Sequence, residues 1–431
     1  MNCNQCEQTF QGTGCTSSPG VCGKDEDIQG LQELLLYGLK GMAAYSHHAR
    51  QMGYKDDSVA EFIEAALFST MTNVNFDFAS TLQLVLKCGE MNLKVMELLN
   101  KAHVETFGTP EPTSVYEGTK AGPGILVTGH DMKYLADLLK ATEGTGVNVY
   151  THGEMLPAHG YPKLKNYKYL AGHYGDAWQR QKKEFSDFSG PILATTNCIL
   201  IPKEEYKDRL FTIDVVGVPG GTQIVNNNFA PLVEMAKRCK PLVKNHVKTS
   251  EVGHHYTQIL GLAGKIIPLI QSGQIKHVFV IGGCDGAEPG RNYYSDFATK
   301  APPESLILTL GCGKYRIRNH EYGNIQGIPR FLDLGQCNDA YGAIQLATTL
   351  ATVFKCSVNE LPLTLVISWF EQKAVAVLLS LLHLGIKGIR IGPKPPAFIT
   401  PKLLGILQAN YDLRLITAES DPVKDLEEIL G

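Results

Sequence analysis

The sequence has no excess of charge of either sign: 40 Lys and Arg stand against 43 Asp and Glu, a formal net charge of -3. Without a basic field there is no footprint for nucleic acid, and nothing draws the chain to an anionic membrane surface. Long apolar runs are missing too. Stretches such as AVAVLLSLLHLGI fall short of the roughly 20 residues that cross a bilayer. The opening MNCNQC has neither the basic start nor the apolar core of a secretory signal, so a cytoplasmic protein is expected. There is no low-complexity tract and no repeat at solenoid periods. VIGGCDGAEPGR approaches a phosphate-binding turn but lacks the G-x-G-x-x-G order and a Lys-Ser/Thr pair, and no flavin or NAD site is evident.

What the chain does contain is 431 residues, 44% hydrophobic and 19% charged, the profile of a soluble globular protein of two or three domains. It also contains 11 cysteines. An odd count in a reducing compartment argues against a disulfide framework and for metal binding. Cys88, within an amphipathic helical pattern, and Cys239 and Cys356, after basic helix ends, read as packing or surface thiols.

Four cysteines crowd into the first 22 residues, Cys3, Cys6, Cys15 and Cys22, spaced C-x2-C-x8-C-x6-C. Gly12, Gly14, Gly20 and Gly23 with Pro19 let the backbone wrap closely around something compact. Such a loop holds either a tetrahedral zinc or an iron–sulfur cluster, and spacing alone does not choose.

Further along, seven short apolar runs end within a few residues at a potential metal ligand: GILVTGH at His130, VNVYTHGE at Glu154, PILATTNC at Cys198, HVFVIGGC at Cys284, LILTLGC at Cys312, RFLDLGQC at Cys337 and LTLVISWFE at Glu371. Runs of this length and composition, closed by Gly or Asn, read as strands. In open α/β sheets ligands bind beyond the carboxyl ends of the strands, so all seven residues are aimed at the same kind of place. Taken singly, Glu154 is also a loop acid, His130 a helix start, and Glu371 a helix N-terminal acid favourable to the macrodipole. Together, four thiolates, one imidazole and two carboxylates point to an iron cluster that is part sulfur and part oxygen. The carboxylates are more easily displaced than thiolates, which leaves room for a substrate.

The organisation is multidomain α/β. From about Asp27 to His103 apolar residues recur at helical spacing, with breaks at 53–57 and 73–77, giving a three-helix bundle. His47 and His48 read as packed or solvated helix residues. FGTPEPTSVYEGTKAGPG, residues 107–124, reads as a linker. Strands and helices then alternate in two blocks, implying two Rossmann-like domains with mostly parallel sheets. The expected boundaries are 1–118 for the cysteine loop and bundle, and 119–250 and 251–431 for the α/β domains, with the larger cluster between these two.

The N-terminal quartet together with TGHDMK, YTHGEMLPA, TTNC, GGCDG, GCGKYR, GQCNDAY and WFEQKAVAVLL, in this order, resembles the hybrid cluster (prismane) protein family over the whole chain. That resemblance implies a [4Fe-4S] cluster on Cys3, Cys6, Cys15 and Cys22, the x8 gap matching members with a cubane. It implies a hybrid [4Fe-2S-2O] cluster on His130, Glu154, Cys198, Cys284, Cys312, Cys337 and Glu371, with a persulfide on Cys284 when oxidised. The implied activity is reduction of hydroxylamine to ammonia and water. Glu154, Glu371 and Lys373 are the candidate catalytic residues, with Lys373 alternatively a solvated helix lysine and Thr72 a pocket-lining residue by resemblance. A ferredoxin or separate reductase would supply electrons, and a homodimer is among the subunit arrangements left open. One bundle in place of the two found in longer members resembles the short class of the family. Rival readings are an NO reductase or protein S-nitrosylase in nitrosative stress defence, a nickel-iron carbon monoxide dehydrogenase, and a non-enzymatic carrier or redox sensor.

Overall fold

A computed structural model describes residues 2–8, 12 and 14–431. Two compact units emerge. One gathers Met1–Asn100 with Ala347–Asp421, the other Lys101–Leu346 with Pro422–Gly431.

The first unit is built on long helices. Asp25 caps α1 (Glu26–Gln51), its side chain accepting from the Ile28 N–H at 2.8 Å, and Asp56 caps α2 (Asp57–Ser69) in the same way through Ser58. Gly53, at φ 87°, turns the chain between them. The third helix, α3, runs from Phe78 to Phe107. Against α1 and α3 lies the helix Gln372–His383, and glycine permits the approach. A Cβ on Gly41 of α1 would stand 2.6 Å from the Gln372 carbonyl oxygen, and one on Gly89 of α3 would stand 2.0 Å from that of Leu379. Ser380 seals the crossing, donating to the Gly89 carbonyl at 2.8 Å and accepting from Asn92 at 3.0 Å. Three strands in this unit, Leu363–Ser368, Arg390–Gly392 and Arg414–Leu415, pair in parallel.

The second unit holds an eight-stranded sheet. Its members are β1 (Thr113–Thr119), β2 (Gly124–Thr128), β3 (Asn148–His152), β4 (Leu170–His173), β5 (Ile192–Ala194), β6 (Leu210–Ile213), β7 (Thr222–Ile224) and β8 (Asn245–Val252), in the order β7-β6-β5-β2-β3-β4-β1-β8. All neighbours are parallel except β1 and β8. The central strand β2 is buried at every position, as a parallel strand covered on both faces must be. A further parallel set joins β9 (His277–Gly283), β10 (Ser305–Gly311) and the short strand Phe331–Asp333. The fold is therefore mixed α/β with mostly parallel sheets, as the alternation of strand and helix patterns predicts.

One expectation is overturned. Residues 107–124 are not simply a linker, because Thr113–Thr119 forms β1 and carries the antiparallel β8. Prolines flank the strand on both sides, Pro110 and Pro112 before it and Pro123 after it, and Glu117 and Thr119 are buried polar residues within it, which hid the strand signal. Among the described residues no helix is long and apolar enough to cross a membrane.

Candidate metal centre

Parallel pairing puts the ends of β2, β3 and β5 on one sheet edge, and these strands deliver His130, Glu154 and Cys198. In the same way β9, β10 and Phe331–Asp333 deliver Cys284, Cys312 and Cys337 from one edge. Six of the residues singled out by the sequence thus lie in the second unit, just past carboxyl ends of parallel strands.

Three of them meet. Donor atoms of His130, Glu154 and Cys337 lie within 4.8 Å of one another, and among the described residues this is the one such set of three metal-ligating side chains. His130 Nε2 is 3.3 Å from Glu154 Oε2, which also accepts from the Cys337 N–H at 2.9 Å. Glu154 is only 6% exposed, so it is not the solvated loop acid that a lone Glu usually is. The buried Cys312 thiol is pushed well above its ordinary range, first by burial and then by the negative charges of Glu154, Cys198 and Cys284, while the Trp178 N–H opposes the rise. Cys198 and Cys284, the other two candidate ligand thiols of this unit, are thereby electrostatically coupled to Cys312. Anionic donors gathered in a dry pocket repel one another until cations join them, and the mixed imidazole, carboxylate and thiolate set fits iron.

Neighbouring residues hold each ligand. Thr196 Oγ1 is 2.8 Å from His130 Nδ1, which leaves Nε2 for the centre. Gln336 Nε2 donates to the carbonyls of both His130, at 3.0 Å, and Glu154, at 2.8 Å, strapping two ligand loops together. Tyr315 OH donates to the Gly153 carbonyl at 2.6 Å, joining the Cys312 loop to the Glu154 loop. A Cβ on Gly311 would come within 3.3 Å of Glu154 Oε1, so that position keeps the carboxylate's space open. Cys198 sits at φ 66°, a left-handed conformation disfavoured for a residue with a Cβ. Gln181 clamps its loop by donating to the Cys198 carbonyl at 2.5 Å and accepting from Leu200 N–H at 3.1 Å. The Cys284 carbonyl accepts from Trp178 Nε1 at 3.1 Å and Gln179 at 3.2 Å. Below them a buried Lys314 ammonium binds both oxygens of Asp333, at 2.6 and 2.8 Å, and the Gly335 carbonyl at 2.7 Å. Gln336, Lys314 and Thr196 lie inside the quoted motifs GQC, GCGKYR and TTNC, yet nothing in a single sequence distinguishes such supports from their neighbours.

The other predicted residues belong to the first unit. Glu371 is the N-cap of helix Gln372–His383 and accepts from the Lys373 N–H at 3.1 Å. Lys373 is buried over the Tyr45 ring, with its ammonium 5.8 Å from the ring centroid, which corrects the alternative of a solvated helix lysine. Thr72 is half-buried and donates to the Gln5 carbonyl at 3.3 Å, at the cysteine loop. In that loop Cys3 and Cys15 exchange backbone hydrogen bonds of 3.1 and 2.6 Å, with Cys15 buried and Cys22 exposed. Gly12, Gly14 and Gly23 all take positive φ, and a Cβ on Gly14 would press on the Cys3 carbonyl at 3.2 Å. A thiol-rich loop wound this tightly, over the buried ammonium of Lys24, fits an anionic cluster. Cys88 is buried in α3 and its thiol is pushed up to about 12 by burial, as a packing residue should be.

Residues 1–83 and 77–426 match the Prismane/CO dehydrogenase family. The chain belongs to that family. It is 59% identical to the hydroxylamine reductase of Moorella thermoacetica and 47% identical to that of Methanothermobacter thermautotrophicus, in both cases over all of each chain. The hydroxylamine reductase of Solidesulfovibrio magneticus is 51% identical over 94% of this chain but only 75% of its own length, so that relative is longer than this chain. Among solved structures, carbon monoxide dehydrogenase IV from Carboxydothermus hydrogenoformans superposes with a TM-score of 0.77 at 16% identity, covering 100% of this chain and 92% of that one. That likeness concerns the fold. As a Prismane/CO dehydrogenase family member with such relatives, the chain is an oxidoreductase.

Proposed function

We propose that this family member is a hydroxylamine reductase, converting hydroxylamine, two electrons and two protons to ammonia and water. The observation that carries the reading is the buried convergence of His130, Glu154 and Cys337, in a chain whose full-length relatives bear that name. Cys3, Cys6, Cys15 and Cys22 would hold a [4Fe-4S] cluster. His130, Glu154, Cys198, Cys284, Cys312 and Cys337 would hold the hybrid [4Fe-2S-2O] cluster, with Cys284 as the persulfide-bearing thiol and Glu371 assigned by its sequence motif alone. When bound, the hybrid cluster supplies electrons and an exchangeable metal position for the N–O group.

The chain's own residues supply placement and protons. Thr196 orients the His130 ring, and the Cys337 N–H and His130 hold the Glu154 carboxylate. A carboxylate held this way is placed to take and return a proton at the leaving oxygen. Lys373 is the second proposed proton donor. Burial of Glu154, Cys312 and the surrounding loops excludes water and strengthens each of these interactions. Electrons come from an external donor, a ferredoxin or reductase.

The test is Glu154→Gln in the anaerobic holoenzyme, with ammonia formed from hydroxylamine as the readout. Loss of charge-assisted bonds worth about 1.5–3 kcal/mol lowers turnover by roughly 10- to 150-fold. Unchanged turnover would remove Glu154 from the mechanism.

A further inference from the structure

Lys24, two residues beyond Cys22, has a side chain only 1% exposed. Its ammonium donates to three amide oxygens, those of Gln32 at 2.7 Å, Gln29 at 3.1 Å and Gln5 at 3.4 Å. Among the described residues these neutral groups are its partners, and no carboxylate pairs with it. Burying an ammonium among dipoles alone is costly, and lysine is almost never fully buried unless it is paired. The position is also specific. Gln5 lies between Cys3 and Cys6, while the Lys24 carbonyl accepts from the Gly20 N–H at 2.8 Å, so both ends of the cysteine loop are tied to this one residue.

We propose that Lys24 is the fixed counter-charge of the N-terminal cluster, a positioning residue that closes the cysteine loop and raises the cluster's reduction potential. The inference rests on the proposed cluster at Cys3, Cys6, Cys15 and Cys22, whose four thiolates supply the negative charge this cation lacks. Reduction adds one more negative charge there, and a nearby buried cation stabilises the reduced form over the oxidised one. Gln5, Gln29 and Gln32 keep the ammonium in place without neutralising it, which preserves its full effect on the cluster.

The experiment is a potentiometric titration of the N-terminal cluster, followed by electron paramagnetic resonance on anaerobically purified full-length protein, with iron per chain measured on the same samples. Lys24→Met and Lys24→Gln remove the charge, and Lys24→Gln retains a hydrogen-bond donor. Lys24→Arg keeps the charge. The expected result is a fall in the reduced-to-oxidised ratio of about tenfold or more at the wild-type midpoint in both neutral variants, a negative shift of about 59 mV for a one-electron couple. The Arg variant stays near wild type. If Lys24→Met loses the cluster, Lys24→Gln and Lys24→Arg still separate charge from packing. A loaded cluster at the wild-type potential in Lys24→Gln overturns the inference alone, as does an Arg variant as impaired as the Met variant. A wild-type protein without the N-terminal cluster signal overturns the cofactor reading, and the inference falls with it.

Discussion

Replacing Lys314 by methionine removes the cation beneath two cysteine loops at once. Lys314 follows Cys312 by two residues, and its ammonium binds Asp333 through both oxygens at 2.6 and 2.8 Å and the Gly335 carbonyl at 2.7 Å, two residues before Cys337. Both charged groups are almost fully buried, at 1% and 5% exposure. Methionine fills most of the volume but leaves the Asp333 carboxylate buried with, among the described residues, only the Gly335 N–H, at 3.0 Å, still donating to it. Removing one partner of such a pair costs about 3–5 kcal/mol. At about 2–4 °C per kcal/mol for a body of this size, the melting temperature falls by about 6–20 °C. Differential scanning fluorimetry of the purified protein at one fixed scan rate reads the change, and the double variant Lys314→Met/Asp333→Leu recovers part of the loss. A single-variant shift below about 2 °C would refute the claim that this pair holds the Cys312 and Cys337 loops.

Other consequences follow from named contacts. Thr196→Val removes the oxygen that orients His130, and metal retention under a chelator challenge falls by about 10- to 100-fold. His103, fully buried, is pushed down to about 4 by burial against an ordinary value of 6.5. The unfolded chain therefore takes up the proton first, so stability present above pH 6.5 is lost as pH falls toward 4, by about 1.4 kcal/mol per pH unit. Melting temperature against pH measures the slope, which is shallower in His103→Leu. In the native protein stripped of metal, iodoacetamide at pH 8 labels exposed Cys22 and spares Cys88, and peptide mass spectrometry detects the difference.

Much of this arrangement is legible in the sequence because strand termini announce themselves. GILVT, VNVYT, HVFVIGG and LILTLG are short, apolar and closed by glycine or a polar residue, and each forms the predicted strand with its ligand just beyond it. The three long helices are equally plain in their apolar spacing. Less is legible where structure depends on distant partners. β8, NHVKTSEV, has almost no apolar face and is a strand because it pairs with β1 at the sheet edge. Gly41 and Gly89 look like weaknesses in helices until the helix Gln372–His383 closes upon them. The candidate centre divides in the same manner. Ligand types and order can be read from the chain, whereas the Gln336 strap, the Thr196 hydrogen bond and the burial of Lys24 exist only after folding.

The most direct test of the account is iron and acid-labile sulfide per chain on anaerobically purified protein, with hydroxylamine-dependent oxidation of a reduced dye run on the same sample. About eight irons, fewer labile sulfides than irons, and turnover are the predicted result for a cubane and a sulfur-poor hybrid cluster acting as a reductase. About four irons, or zinc in place of iron, together with no turnover, would contradict a second cluster at the strand ends and the reductase assignment built on it.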